Sequence, residues 1–495
     1  MSRTTAITTL LAFVLSLAAP VGAEAPRDIS AWKNSMPEQP DAVLVKGATI
    51  WTSGSDGVLE DTDLLIKKGK IAKIGKSLNA PRNAVVIDGS GKHVTAGLID
   101  AHSHSAIVGG VNEGSNITTA EVRIGDVVNS ESINVYRQLA GGLTAANLLH
   151  GSANSIGGQN AVIKLRWGAL PEEMKIKGAP EGIKFALGEN PKQSNFTNDN
   201  PRYPSTRAGV ERSIREHFEA ASDYRDAWAA HEADSSKIPP QRDLQLDALV
   251  EIMEGTRLVH SHSYRADEIV MLLRVAEDFG FTVASFQHVL EGYKVANELA
   301  AAGSGASTFS DWWAYKFEVI DAIPYNGAIM QDRGVVVSFN SDSSDLARRM
   351  NTEAAKAVRY GGVPEAEALK FVTLNPAIQL GIDDRVGSLE KGKDADFVVW
   401  NGHPLSTYTI CEQTWIDGRK YFDRQDDLAA REALAAERQE LMAKVRAEAE
   451  KDEAEEGEGK EGEEKPEGNP PAYILSDDHS ETCREQDGEG QGGTR

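Results

Sequence analysis

Gly97-Leu-Ile-Asp-Ala-His-Ser-His104 is the stretch from which the rest of the chain reads. Leu98 and Ile99 close an apolar run, and His102 and His104 follow two residues apart. Side chains at i and i+2 of a strand point to the same side. Two imidazoles at a strand end can therefore grip one cation, and neutral imidazole is the commonest metal ligand. Such a pair also arises by chance, so on its own it fits two polar histidines in a loop equally well.

The 495 residues are 40% hydrophobic, enough for one or two domains. The formal net charge is −23, which argues against a nucleic-acid partner. Residues 1–23 read as a secretory signal peptide. Arg3 supplies the positive start, Ala6–Ala19 an apolar run too short to span a bilayer, and Val21-Gly22-Ala23 a small-residue cleavage site. No later run is long enough to predict a membrane span. Cys411 and Cys483 give no disulfide framework. These features predict a periplasmic or secreted protein.

From Asp41 to His93 the text is β-like: Ala42–Val45, Thr49–Trp51, Asp63–Ile66 and Ile71–Ile74 are short strands between Gly- and Asp-rich turns. From Gly97 apolar strands alternate with helical stretches. The strands after the first are Leu143–His150, Ala161–Leu165, Ile183–Leu187, Leu258–His262, Thr282–His288, Ala306–Phe309 and Val335–Phe339. Eight strands in this rhythm predict an α/β fold, a (β/α)8 TIM barrel over 96–384. A long insert, Asn190 to Gln241, interrupts it. β text returns in Gly387–Trp400 and in Thr414–Tyr421, with Asp417-Gly418 at a hairpin turn. Segments 41–95 and 385–424 thus bracket the barrel and are expected to build one small composite β-sandwich domain from both chain ends. A C-terminal helix is expected over 425–450. Residues 451–470 carry nine acids and three lysines, net −6, so 451–495 reads as an acidic disordered tail.

Barrel active sites lie at the C-terminal ends of the strands. His102, His104, His260, His262 and His288 fall at such ends, and Asp342 follows the last strand in Phe339-Asn-Ser-Asp. Each alone is more often a satisfied polar residue; their joint placement is hard to assign to chance. Lys184 sits between Ile183 and Phe185 inside a buried strand, where lysine is unexpected. It is either salt-bridged or a neutral amine able to take up CO2 as a carbamate bridging two metals; Glu189, at the end of the same strand, competes for that bridge. The loop Gly151–Gln159 is a plain tight turn or an anion cradle.

The Gly97–His104 stretch, the later histidine strands, Ser341-Asp342 and Gly392-Lys-Asp-Ala-Asp-Phe-Val398 resemble the metal-dependent amidohydrolase superfamily, its imidazolonepropionase-related branch, over about residues 41–425. The resemblance implies a (β/α)8 barrel with a β-sandwich. It also implies His102 and His104 on one metal, His260 and His288 on a second, and Asp342 as ligand and acid/base; some members carboxylate a lysine placed like Lys184. The family's motif after the fifth strand is similar to His-Ala-His-Arg. Here it reads His260-Ser-His-Ser-Tyr-Arg265, which leaves His260 or His262 open, with His260 the better match to the strand end.

Histidine and carboxylate ligands suit a divalent ion, zinc above others, and the resemblance implies two per chain. The expected reaction is hydrolysis of an amide-type C–N bond, in a cyclic amide or small peptide, by a metal-activated water. Alternatives are an Xaa-Pro-type dipeptidase, a one-metal deaminase, and a non-enzymatic periplasmic binding protein. Tyr264 and Arg265 follow the histidine strand. Arginine matches a carboxylate in bidentate fashion, so the pair is a candidate anchor for a substrate carboxylate; alternatively Arg265 starts a helix and pairs with Asp267 or Glu268. The expected partners are a small molecule or short peptide, and a homo-oligomer is left open.

Overall fold

A computed structural model describes residues 36–192, 202–312 and 315–457. The signal peptide expected over 1–23 and most of the acidic tail lie outside the described residues.

Five strands open the described residues: β1 (Ala42–Trp51), β2 (Val58–Lys67), β3 (Lys70–Gly75), β4 (Val85–Asp88) and β5 (His93–Ala96). The two short strands expected at 42–45 and 49–51 are one, β1; its pairing with β2 shifts register between Val45 and Ala48, across Gly47. Six strands follow the Gly97 break: β6 (Leu98–Ser103), β7 (Leu143–Leu148), β8 (Ile156–Gln159), β9 (Ala161–Lys164), β10 (Glu181–Ala186) and β11 (Arg257–Ser263). Then come β12 (Val283–His288), β13 (Gly305–Thr308), β14 (Val337–Phe339), β15 (Phe397–Trp400), β16 (Cys411–Ile416) and β17 (Arg419–Asp423).

One eight-stranded sheet takes strands from both ends of the chain, in the order β17-β16-β15-β5-β1-β2-β3 with β4 on β1. The join is β15 against β5, antiparallel, with Phe397 opposite Ala96. Val43, Val45, Ile50, Leu64, Phe397 and Trp415 form its core. Asp417 and Gly418 turn β16 into β17 with φ of 51° and 71°, the left-handed pair that a two-residue hairpin requires. Buried Lys164, on β9, meets Asp394, Asp396 and Asp417 at 2.7, 2.9 and 2.6 Å. The Lys-Asp-Ala-Asp motif therefore ties this sheet to the strands that follow.

Those strands form two further sheets. β6 runs parallel to β7, and β10 through β14 run parallel in sequence order. Both faces of β6, β7 and β13 are buried. No ladder closes the ring among the described residues. On one side Phe339 N–H and Ile99 N–H donate to the carbonyls of Phe371 and Val372, at 2.8 Å each. On the other, β8 and β9 stand antiparallel to β10 and β7. Ala161–Leu165 is therefore not a barrel-type strand, as the sequence predicted; it folds back on β7. Among the described residues seven strands, not eight, follow the parallel pattern. Gly97 lets β6 approach β7, since a Cβ there would lie 2.2 Å from Thr144 Oγ1.

The insert carries a helix, Arg207–Ala233, packed through Val210, Ile214 and Phe218. The C-terminal helix is longer than predicted, Arg424–Gly457. Its Ala, Glu, Lys and Arg are strong helix formers, and they carry the helix into the acidic stretch where disorder was expected. No helix among the described residues is long and apolar enough to cross a membrane.

Candidate metal and active site

β6, β10, β11, β12 and the loop after β14 bring His102, His104, Lys184, His262, His288 and Asp342 together. Nε2 of His102 and of His104 lie 3.3 Å apart. Asp342 Oδ1 is 3.5 Å from the first and 3.3 Å from the second. These three side chains are the group among the described residues whose ligand atoms could share one metal ion. Their outer atoms fix which nitrogen faces inward. His104 Nδ1 is 2.9 Å from the Leu149 carbonyl, and His102 Nδ1 is 3.3 Å from Gln287 Oε1. Both oxygens accept, so both Nδ1 atoms carry the hydrogen and both Nε2 lone pairs face the carboxylate. Three lone-pair atoms at such spacing repel one another; a cation at their centre turns the repulsion into attraction. The donor set fits a divalent ion.

The backbone is bent to make this arrangement. Asp342 has φ 44°, His288 φ 68° and Val289 φ 40°. Non-glycine residues in that region are strained, and such strain concentrates at functional sites. Asp342 N–H donates to His102 O at 3.2 Å. Asp100 holds the same corner: its carboxylate accepts from the N–H groups of His102 and Ser341, at 3.2 and 3.0 Å, and from Ser341 Oγ at 2.5 Å. Burial first of all raises the Asp100 carboxyl to about 7, against the Ser341 bonds that lower it.

A second set lies beside the first. The His288 ring is 4.7 Å from that of His102 and 4.6 Å from that of His262, and His288 Nε2 is 3.8 Å from Asp342 Oδ2. Both ring nitrogens of His262 and Nδ1 of His288 are buried without a hydrogen-bond partner. Buried orphan nitrogens of this kind require an explanation, and an ion is one. His260 is elsewhere: its Nδ1 is 2.8 Å from Ser285 Oγ. It is thus His262, not the His260 favoured from sequence, that stands in the ring cluster. The extra two residues of the motif carry the chain on to Tyr264, whose ring stacks on His288 at 5.4 Å. Burial, then the Lys184 charge, pushes His102 and His260 down, the latter to about 3; burial, then His288, does the same for His262. For these rings burial favours the neutral form, the form in which imidazole binds a metal.

Lys184 is buried in register with His260, its Nζ 3.2 Å from His102 Nε2 and 3.2 Å from the His150 carbonyl. Glu189 lies past the end of β10, and its N–H donates to Glu318 at 3.1 Å. It is not part of the metal-capable group. Arg265 is turned away: it pairs with Asp267 at 3.0 Å at the start of the helix Ala266–Phe279, the alternative weighed from sequence. The cation beside Tyr264 is Lys316, 4.5 Å from the ring centre. Tyr264 OH is 2.9 Å from Tyr315 OH. Phe309 stacks on His288 at 5.4 Å and Trp312 on Phe309 at 4.0 Å, forming an aromatic wall. His150, Gln287, Ser285 and Lys316 were not singled out from sequence. The segment expected as a loop over Gly151–Gln159 ends in β8; His150 braces its start, with Nδ1 2.9 Å from Gly151 O and Nε2 accepting from Glu113 N–H at 2.9 Å.

A family model described as "Amidohydrolase family" matches residues 325–422. Amidohydrolase tasK of Hapsidospora irregularis is 29% identical over 77% of this chain, and the chain spans 43% of that protein's length. An imidazolonepropionase of Thermoplasma volcanium is 25% identical over 69% of this chain and 84% of its own. A crystal structure of an amidohydrolase from Thermotoga maritima is 33% identical, with a TM-score of 0.71, over 77% of this chain and all of its own. With that identity spanning a whole relative, and with the histidines and Asp342 converging as described, the chain belongs to the amidohydrolase family.

Proposed function

We propose that this protein is a metal-dependent hydrolase of a carbon–nitrogen bond in a cyclic amide or small peptide. The observation that carries the reading is the convergence of His102 Nε2, His104 Nε2 and Asp342 Oδ1, with tautomers fixed from behind. A divalent ion, zinc by donor type, supplies Lewis acidity toward a carbonyl and toward water when bound there. His262, His288 and Lys184 are the residues we assign to a second ion. Lys184 serves that role as a carbamate; it is buried among the site histidines, its Nζ 3.2 Å from His102 Nε2.

Asp342 takes the proton of the attacking water at Oδ1 and returns it to the leaving nitrogen, the work of a general base and then acid. Its left-handed backbone and the Asp100–Ser341 corner hold it still for that transfer. The Phe309–Trp312 wall and Tyr264 keep bulk water from one side. We assign to a substrate carboxylate Lys316 rather than Arg265, because it lies over the Tyr264 ring, with Glu318 3.8 Å away on its other side. We further read the parallel strands as a (β/α)8 barrel and the sheet from both chain ends as its β-sandwich, in a periplasmic or secreted enzyme. The similarity to a Thermotoga maritima amidohydrolase supports the barrel. The test is a panel of lactams, N-acyl amino acids and dipeptides, Xaa-Pro included, assayed with metal-loaded and metal-stripped protein. Hydrolysis confined to the loaded form supports the reading; deamination without C–N cleavage, or no turnover when fully loaded, contradicts it.

A further inference from the structure

Three hydrogen bonds run from the back of His102 to His260. His102 Nδ1 meets Gln287 Oε1 at 3.3 Å, Gln287 Nε2 donates to Ser285 Oγ at 2.7 Å, and Ser285 Oγ meets His260 Nδ1 at 2.8 Å. All four side chains are buried. Ser285 and Gln287 lie two apart on β12, so both face the same side, while His260 lies on the neighbouring β11, paired with Ser285 in register.

We propose that Gln287 is a positioning residue for the metal site, and that Ser285 and His260 exist there to hold it. The amide is the part that decides. A glutamine side chain has one end that accepts and one that donates. With its NH2 end committed to Ser285, only the carbonyl end is left for His102, and a carbonyl takes a hydrogen from Nδ1. That leaves the Nε2 lone pair aimed at His104 and Asp342. Were the amide free to turn, its NH2 would face Nδ1 and select the other tautomer, with Nε2–H pointing into the site and unable to bind an ion. The chain thus gives His260 a role behind the ligands, consistent with His262 being the histidine in the ring cluster. Partners behind a metal-binding histidine commonly contribute 10- to 100-fold in metal affinity.

The inference rests on the metal-site reading above, and metal affinity rather than turnover is its readout. Zinc affinity is measured by chelator competition on stripped full-length protein, and the cobalt(II) form is followed by its visible absorption. Gln287→Met is expected to weaken zinc binding about 10- to 100-fold and to alter the cobalt spectrum. Gln287→Glu, which keeps an acceptor facing Nδ1, is expected to stay within about threefold of the parent. Ser285→Ala, a small change that spares the fold if Gln287→Met does not, is expected to lose several-fold. Parental affinity in Gln287→Met, or equal losses in Gln287→Met and Gln287→Glu, overturns the proposal while leaving the metal site standing. Failure of the parent protein to take up metal overturns both.

Discussion

His104 Nε2 stands 3.3 Å from Asp342 Oδ1, and Asp342 reaches that point only by adopting a φ of 44°. A strand end from the beginning of the fold and a loop from its far side therefore converge on one small volume. The backbone strain is sustained by Asp100, which bonds both corners at once. Three donor atoms within reach of one ion, with Lys184 Nζ 3.2 Å from His102 Nε2 beside them, are the physical sense in which the site suits a cation.

Asp342→Asn keeps the shape of the side chain and removes its basicity. Turnover on any substrate found in the amide panel should fall about 100-fold or more, the usual worth of a placed general base. Steady-state kinetics on metal-loaded protein check this. Near-parental turnover would move the proton transfer to another group, with Asp345 next in line on the same loop.

The two histidines of β11 should separate in a metal assay. His262→Ala removes a side chain with both nitrogens buried and unsatisfied, so it should weaken metal binding at least about tenfold more than His260→Ala. Metal content after dialysis against a chelator buffer checks it. The reverse order would return the ligand role to His260.

Lys316 should act on substrate rather than on metal. On paired substrates that differ only in a free or amidated carboxylate, Lys316→Met should raise KM for the free acid about 10-fold or more, because a hydrogen bond to a charged group contributes about 1.5–3 kcal/mol. Arg265→Met should not distinguish the pair, since Arg265 is already taken by Asp267. Equal losses on both substrates for Lys316→Met would remove it from recognition.

Lys164 should matter for stability instead. It is fully buried among three carboxylates, and removing one member of a buried ion cluster strands the rest. Lys164→Met should cost about 3–5 kcal/mol in urea unfolding. A loss below about 1 kcal/mol, the range of a surface pair, would mean the cluster relaxes by letting in water.

The sequence was most legible where period and chemistry agreed. His102, His104 and Asp342 could be picked because each follows an apolar strand, and strand ends are where such side chains meet. Ala161–Leu165 misled because an apolar run of that length gives no sign of direction; its partner, β7, decides that it returns antiparallel. The choice between His260 and His262 was open for a similar reason. Residues i and i+2 share a face, so period cannot say which stands beside His288 and which reaches Ser285. Gln287 and Ser285 were invisible as site residues, since a glutamine behind a histidine has no signature of its own. Arg265 was open between a carboxylate anchor and a helix-start residue; it pairs with Asp267 at the helix start.

The most direct test of the central claim is the metal content of the purified protein, measured alongside hydrolysis of the amide panel. The parent should carry one or two divalent ions per chain, lose turnover when they are chelated, and regain it when zinc is restored. The double variant His102→Ala/His104→Ala should carry less metal and show no restored turnover. Parental metal content in that double variant, or full hydrolysis by stripped parent protein, would contradict the account.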